Sequence, residues 1–260
     1  MCLIFIAYRY VPGYPLIIAG NRDEFYDRPT APLDFWPEHP HVAGGVDKQA
    51  GGTWLGITRE GKFAAITNFR DPGALCSGTP SRGALVRNYL IGNQQPAGYL
   101  ETISENADQY NGFNLIAGDK TGIFYYSNME GQVRSIPAGL HGLSNHLLNT
   151  PWPKVTKGKQ AMDRVLQKEP LGVEAILQVL QDTTRPPDTD LPDTGVGLAW
   201  ERMLSPMFIE SEIYGTRSSS VILMDDEGQV NFTERTFAPD GKGGGRGNTR
   251  QVSFQLASGE

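Results

Sequence analysis

The sequence predicts an α+β fold in which mainly antiparallel sheets are covered by helices. Short strand-like segments recur along the chain and are joined by tight turns, which favours antiparallel pairing. Two pairs of helical segments interrupt the strand groups, the pattern expected when helices lie over packed sheets. The chain is also somewhat rich in turn formers, with Gly 31 and Pro 18.

The elements follow in order. Residues 2–10 alternate, with Leu3, Phe5 and Ala7 on one face and Ile4, Ile6 and Tyr8 on the other. Both faces are apolar, so the segment reads as a strand buried on both sides. Pro12-Gly13 turns the chain into Leu16–Ala19, which closes a first hairpin and runs out into the polar cluster Asn21-Arg22-Asp23-Glu24. Residues 26–50, rich in Pro, His and Gly, read as a long ordered loop. Thr53–Thr58 and Lys62–Thr67 form a second hairpin across Arg59-Glu60-Gly61 and end at Asn68-Phe69-Arg70-Asp71-Pro72. Ser81 is positioned to cap a helix over 82–91, and a second helix is expected near 97–110. Strands follow at 113–117, 122–127, 133–136 and 139–144. Residues 153–167 and 173–181 read as amphipathic helices. The Pro-rich loop 184–195 precedes strands at 216–224, 229–237 and 250–256, with a Gly-rich loop at 241–247. No repeat or convincing linker interrupts the order, so one domain over 1–260 is expected; the loop at 184–195 is the best candidate boundary.

Composition narrows the function classes. A chain of 260 residues can bury about three quarters of its unfolded surface. The 23 basic and 29 acidic residues leave a net charge of −6. No Lys/Arg cluster reaches the density of a nucleic-acid groove, and the acidic balance disfavours an anionic membrane surface. The apolar start is short and lacks a basic lead or a small-residue cleavage site, so it does not read as a signal peptide. No apolar run reaches about 18 residues. A cytoplasmic location is expected. Cys2 and Cys76 are too few for a disulfide framework; one bridge stays open as an alternative, but a reduced compartment is the simpler reading.

Cys2 is the candidate centre of chemistry. Removal of Met1, favoured by a small following side chain, would place a thiol and a free α-amine on one residue. The amine titrates at about 7.7–8.0 and the thiol at about 8.5, so the amine can take the thiol's proton, as N-terminal nucleophiles do. The thiolate would attack an amide or thioester carbonyl, whose oxyanion needs fixed N–H donors. The bland alternative is a small half-buried strand residue.

Several stretches carry a family resemblance: Met1-Cys2-Leu3, Gly20-Asn21-Arg22-Asp23-Glu24-Phe25-Tyr26-Asp27-Arg28-Pro29, Gly51-Gly52-Thr53-Trp54-Leu55-Gly56, Gly142-Leu143-Ser144-Asn145 and Gly215-Thr216-Arg217-Ser218-Ser219-Ser220. In this order and spacing they resemble the NRDE family, also called the transport and Golgi organisation type, and the match runs through nearly the whole chain. The resemblance implies an αββα sandwich and a relation to N-terminal-nucleophile hydrolases of the penicillin V acylase and bile salt hydrolase group. By that likeness Cys2 is the nucleophile, Asn68 and Asn145 contact the oxyanion or substrate, and Arg217 supports the nucleophile together with Arg22 or Asp23. Asn21, Glu24, Arg28, Trp54 and His146 are candidate ligand contacts. One departure stands out: the acylases space an Arg and an Asp three residues apart after the first hairpin, whereas Arg22 and Asp23 are adjacent. Strand alternation sends Asn21 and Asp23 to one face and Arg22 and Glu24 to the other, and which pair faces Cys2 is open.

The hydrolase reading requires no metal or cofactor. His39, His41, His141 and His146 have no metal-ligand spacing with Cys or carboxylates, and 241–247 lacks the following helix of a phosphate-binding loop. The family resemblance also implies a non-enzymatic alternative: binding and trafficking of haem, or of acyl-CoA or lipid, in the same cleft. The expected partner is therefore a small amide or thioester, or haem; the oligomeric state is open.

Overall fold

The computed structural model describes residues 2–237 and 248–257. Among these, β1 (Cys2–Val11), β2 (Tyr14–Phe25), β10 (Gly139–Leu143), β11 (Tyr214–Met224), β12 (Gln229–Thr236) and β13 (Asn248–Gln255) form one sheet in the order β10-β1-β2-β11-β12-β13. The second sheet runs β3-β4-β5-β6-β7-β8-β9, from β3 (Thr30–Trp36), β4 (His39–Asp47), β5 (Leu55–Thr58), β6 (Phe63–Asn68), β7 (Phe113–Asp119), β8 (Gly122–Ser127) and β9 (Gln132–Ser135). Every strand pairing within the two sheets is antiparallel.

The sheets pack face to face, and helices cover their outer faces. α1 (Gly83–Ile91) and α2 (Pro96–Ser104) lie on the second sheet, while α3 (Pro153–Leu166) and α4 (Val173–Leu180) lie on the first. The four layers are therefore α-β-β-α. β1 shows how the sequence produces them. Cys2, Ile4 and Ile6 join the core between the sheets, and Leu3, Phe5 and Ala7 join the core under α3 and α4. Burying one such aliphatic side chain contributes about 1.5–3 kcal/mol, so both faces hold the strand in place. Two apolar faces cannot by themselves choose a register. The tight turn at Gly13, with φ of 78°, pairs Val11 with Tyr14; a bulge between Tyr8 and Val11, where Arg9 has φ of 47°, then shifts the register by one residue and sets Cys2 opposite Arg22 and Leu3 opposite Asn21.

The expected loop over 26–50 is instead the β3–β4 hairpin. Pro32 fits because β3 is an edge strand and the pairing shifts register between Ala31 and Asp34, and Pro40, in the interior strand β4, falls where the pairing shifts again between Phe35 and Trp36. The capping role expected for Ser81 is not realised: the residue before α1 is Arg82, without a side-chain cap. A fifth helix, α5 (Leu198–Leu204), follows the Pro-rich loop. The Gly-rich loop expected at 241–247 lies outside the described residues. No helix among the described residues is long and apolar enough to cross a membrane.

Candidate active site

Strand ends from both sheets surround a cleft of about 1420 Å3. Cys2 enters from the start of β1, Arg22, Asp23 and Glu24 from the end of β2, Asn68 from the end of β6, and Arg217 from β11. Trp54, Arg28, Arg82, Trp200 and Tyr214 also line it. Gly20 makes room for the Trp54 indole: a Cβ there would stand 2.5 Å from Leu3 O and 3.3 Å from the indole edge.

The hairpin register resolves which of residues 21–24 share the face of Cys2. Arg22 is its cross-strand partner, so Arg22 and Glu24 take that face. Asn21 takes the other. It is fully buried, donates through Nδ2 to Leu180 O and Met207 O at 2.8 Å each, and accepts from Ser219 Oγ at 2.6 Å. Asn21 thus fastens the first sheet to its helices and does not line the cleft. Asp23 lies one residue beyond the Cys2–Arg22 pair, where β1 has ended and β2 continues paired only with β11, and it lines the cleft. Its Oδ1 accepts from Thr216 Oγ1 at 2.7 Å, and burial pushes its carboxyl upward against the pull of Lys154, Thr216 and Arg70.

Cys2 is buried and carries a free thiol. Burial pushes that thiol up to about 11, with Asp23 and Glu24 adding to the rise and Arg22 opposing it. Arg22 is itself nearly buried. Its Nη2 lies 3.7 Å from Glu24 Oε2 and 4.0 Å from Asp47 Oδ2, while Nη1 has no hydrogen-bond partner among the described residues.

Arg217 is the extra residue of a β-bulge: Thr216 pairs with Asp23 and Ser218 with Arg22. Its guanidinium donates to the carbonyls of Phe25, Tyr26 and Arg28 at 2.8, 2.9 and 3.1 Å. It binds the chain segment after β2 into the cleft rim. Arg28 ties the same segment to Asp47, with Nε and Nη2 at 2.9 and 2.7 Å from Oδ2.

Asn68 lines the cleft, whereas Asn145 stands behind it, fully buried, with Nδ2 3.1 Å from Asn68 O. His146 is also outside the lining. Its Nδ1 pairs with Thr150 Oγ1 at 2.9 Å, and its ring packs against Phe69 at 4.8 Å.

Two buried cations were not anticipated as site residues. Arg70 lines the cleft and pairs with Glu201 at 2.6 Å. Lys154, at the start of α3, is buried with Nζ on Leu204 O at 3.0 Å. Burial, with Arg70 beside it, lowers its ammonium to about 8. Arg70 had a signal, since it continues the polar break after Asn68. Lys154 had none, because a lysine in the first turn of an amphipathic helix ordinarily faces water. Among the described residues, no group of His, Cys, Asp and Glu could hold a metal ion.

The sequence profile described as Transport and Golgi organisation 2 matches residues 1–239. The chain belongs to that family. It is 36% identical to the Transport and Golgi organization 2 homolog of Mus musculus, covering 99% of this chain and 100% of that protein. The Homo sapiens homolog is likewise 36% identical, with the same coverage. Among solved structures the chain is similar to the C2A mutant of the conjugated bile acid hydrolase from Clostridium perfringens, with a TM-score of 0.49, 10% identity, and coverage of 100% of this chain and 99% of that one. The blocks around Cys2, Asn21–Glu24, Asn145 and Arg217 all fall within the matched family span.

Proposed function

We propose that this family member is a cysteine N-terminal-nucleophile hydrolase acting on an amide or thioester carbonyl. The observation that carries this reading is the position of Cys2 on the cleft wall, with Arg22 as its cross-strand neighbour and Asn68 on the opposite sheet. A buried thiol held up to about 11 is almost wholly protonated at neutral pH. Removal of Met1 supplies the missing base, because the new α-amine sits on the same residue. The amine takes the thiol proton as sulfur bonds to the carbonyl carbon. It returns the proton to the departing amine or thiol, leaving an acyl-thioester on Cys2. A water, deprotonated by the same amine, then attacks this intermediate, releases the acid and restores the thiol. Asn68 supplies an N–H to the oxyanion. Arg22 and Asp23 set the charge around the sulfur, while Asn145 and Arg217 act on the site through Asn68 and the cleft rim.

The test compares wild type with Cys2→Ala on a panel of N-acyl amides and acyl thioesters, alongside intact mass. Turnover abolished in Cys2→Ala, in a protein one methionine lighter than the full chain, is the expected result. A mass retaining Met1 would sink the amine-base mechanism, and turnover surviving Cys2→Ala would remove the nucleophile.

A second reading is carriage of haem, or of an acyl-CoA or lipid, without turnover. The high thiol pKa favours the acyl-CoA or lipid form of this reading, since such a carrier needs no activated sulfur. No histidine lines the cleft among the described residues, so ligation of haem iron there would fall to Cys2. Haem titration of the same two proteins separates the readings: binding with a thiolate signature lost in Cys2→Ala, and no turnover on any substrate, supports the carrier.

A further inference from the structure

Arg70 presents one edge of its guanidinium that nothing in the described chain fills. The residue lines the cleft, and its side chain is only 5% exposed. Nη1 donates to Glu201 Oε2 at 2.6 Å, and the Trp152 ring lies 4.8 Å from the guanidinium carbon. Nε and Nη2 are buried without a hydrogen-bond partner. The N–H groups of Nε and Nη2 project in parallel from one edge, the fork that matches a carboxylate. Two other arginines show this fork filled. Arg28 gives Nε and Nη2 to Asp47, and Arg202 gives the same two nitrogens to Asp188.

A buried donor left without an acceptor is costly, and Arg70 carries two of them side by side. Glu201 offers no second acceptor to them, because its Oε1 takes the Thr194 N–H at 2.9 Å and the Thr194 hydroxyl at 2.6 Å. Lys154 adds positive charge nearby, opposed by the carboxyls of Glu201 and Asp23. The same cleft is lined by Pro72, Leu75 and Trp200, of which Leu75 and Trp200 are 62% and 44% exposed although large and hydrophobic.

We propose that the Nε–Nη2 edge of Arg70 is a subsite for the carboxylate of a ligand whose apolar body lies along Pro72, Leu75 and Trp200. The inference rests on the cleft being the ligand site, as in the function proposed above, but not on Cys2 reacting. It names the substrate class as an apolar molecule bearing a free carboxylate.

The test uses the full chain carrying Cys2→Ala, so that no turnover intervenes. Dodecanoate and its uncharged analogue dodecanamide are titrated by calorimetry and by the fluorescence of the cleft tryptophans, Trp54 and Trp200. Dodecanoate is expected to bind about tenfold or more tighter than the amide. Arg70→Met should remove that preference while leaving amide binding unchanged, and Arg70→Lys, which keeps the charge without the fork, should keep only part of it. Glu201→Gln preserves Arg70 and should retain or increase the preference; it carries the test if thermal unfolding shows that Arg70→Met does not fold. Equal binding of acid and amide, no binding of either, an unchanged preference in folded Arg70→Met, or its loss in Glu201→Gln overturns the subsite. Turnover by wild type with no carboxylate preference would sink the subsite and leave the hydrolase standing. A carboxylate preference in Cys2→Ala with no turnover by wild type would do the reverse.

Discussion

Asn145 holds the side chain of Asn68: its Nδ2 lies 3.1 Å from Asn68 O and 3.4 Å from Asn68 Oδ1. Arg70 N donates back to Asn145 O at 2.8 Å. The contact joins the segment after β10, in the first sheet, to the end of β6, in the second. With Oδ1 turned toward Asn145, the Nδ2 of Asn68 is directed away from it. Asn145 is therefore a positioning residue in the hydrolase reading, and Asn68 is the donor.

That division of roles sets an order of effects. Asn68→Ala should lower kcat by about 10²–10³, the usual loss for an oxyanion donor. Asn145→Ala should lower it by about tenfold through misplacement. The double variant should be no worse than Asn68→Ala alone, because the second residue acts through the first. The measurement is kcat on the substrate found in the panel. Losses that multiply in the double variant would give Asn145 its own contact with the reacting group.

The two cysteines give an internal comparison. Cys76 is exposed and Cys2 is buried. In a chain retaining Met1, iodoacetamide at pH 8 should label Cys76 far faster than Cys2, whose rate should climb only toward the thiol's value of about 11. Removal of Met1 should bring that inflection below about 9, toward ordinary thiol values. Peptide mass spectrometry against pH reads both sites at once. An inflection for Cys2 that is the same with and without Met1 would separate the amine from thiol activation.

Much of this arrangement was legible in the sequence. The two-sided apolar run of β1 announced a strand between two cores, and the polar residues at the ends of β2 and β6 marked the strand ends that form the cleft. Three things were hidden. The β3–β4 hairpin was masked by prolines that an edge strand, at Pro32, and a register shift, at Pro40, tolerate. The face of Asn21 and Arg22 depends on hairpin register, which two apolar faces do not specify. The bulge at Arg217 shifts its guanidinium to backbone carbonyls, and a local string of Ser and Thr gives no sign of it.

Lys154 predicts a pH dependence. The unfolded chain holds the lysine proton up to the ordinary value of 10.5, whereas the folded chain holds it only to about 8. Between these values the unfolded state binds more protons, so stability rises with pH, by roughly 3 kcal/mol at most across the window. Lys154→Met should lack this rise. Urea midpoints at pH 7.5 and 9.5 for both proteins give the difference. The opposite trend from Cys2, whose raised thiol stabilises the fold below 9 and ceases to as pH passes 11, is present in both proteins and cancels. Parallel profiles for the two proteins would mean that Lys154 is not buried in its charged form.

Asn21 belongs to the family's most recognisable stretch, yet its three hydrogen bonds all serve packing. Asn21→Ala would leave Leu180 O, Met207 O and the Ser219 hydroxyl without partners in a buried layer. Each lost bond costs about 1 kcal/mol, and more where the remaining group cannot reach water, so a loss of about 3 kcal/mol in urea unfolding is expected. Asn21→Asp should be worse, because it keeps the acceptor for Ser219 but sets a carboxylate against two carbonyl oxygens. Under folding conditions, the Cys2 alkylation profile of Asn21→Ala should match wild type, since Asn21 faces away from the thiol. A shifted profile at unchanged stability would place Asn21 in the chemistry of the cleft.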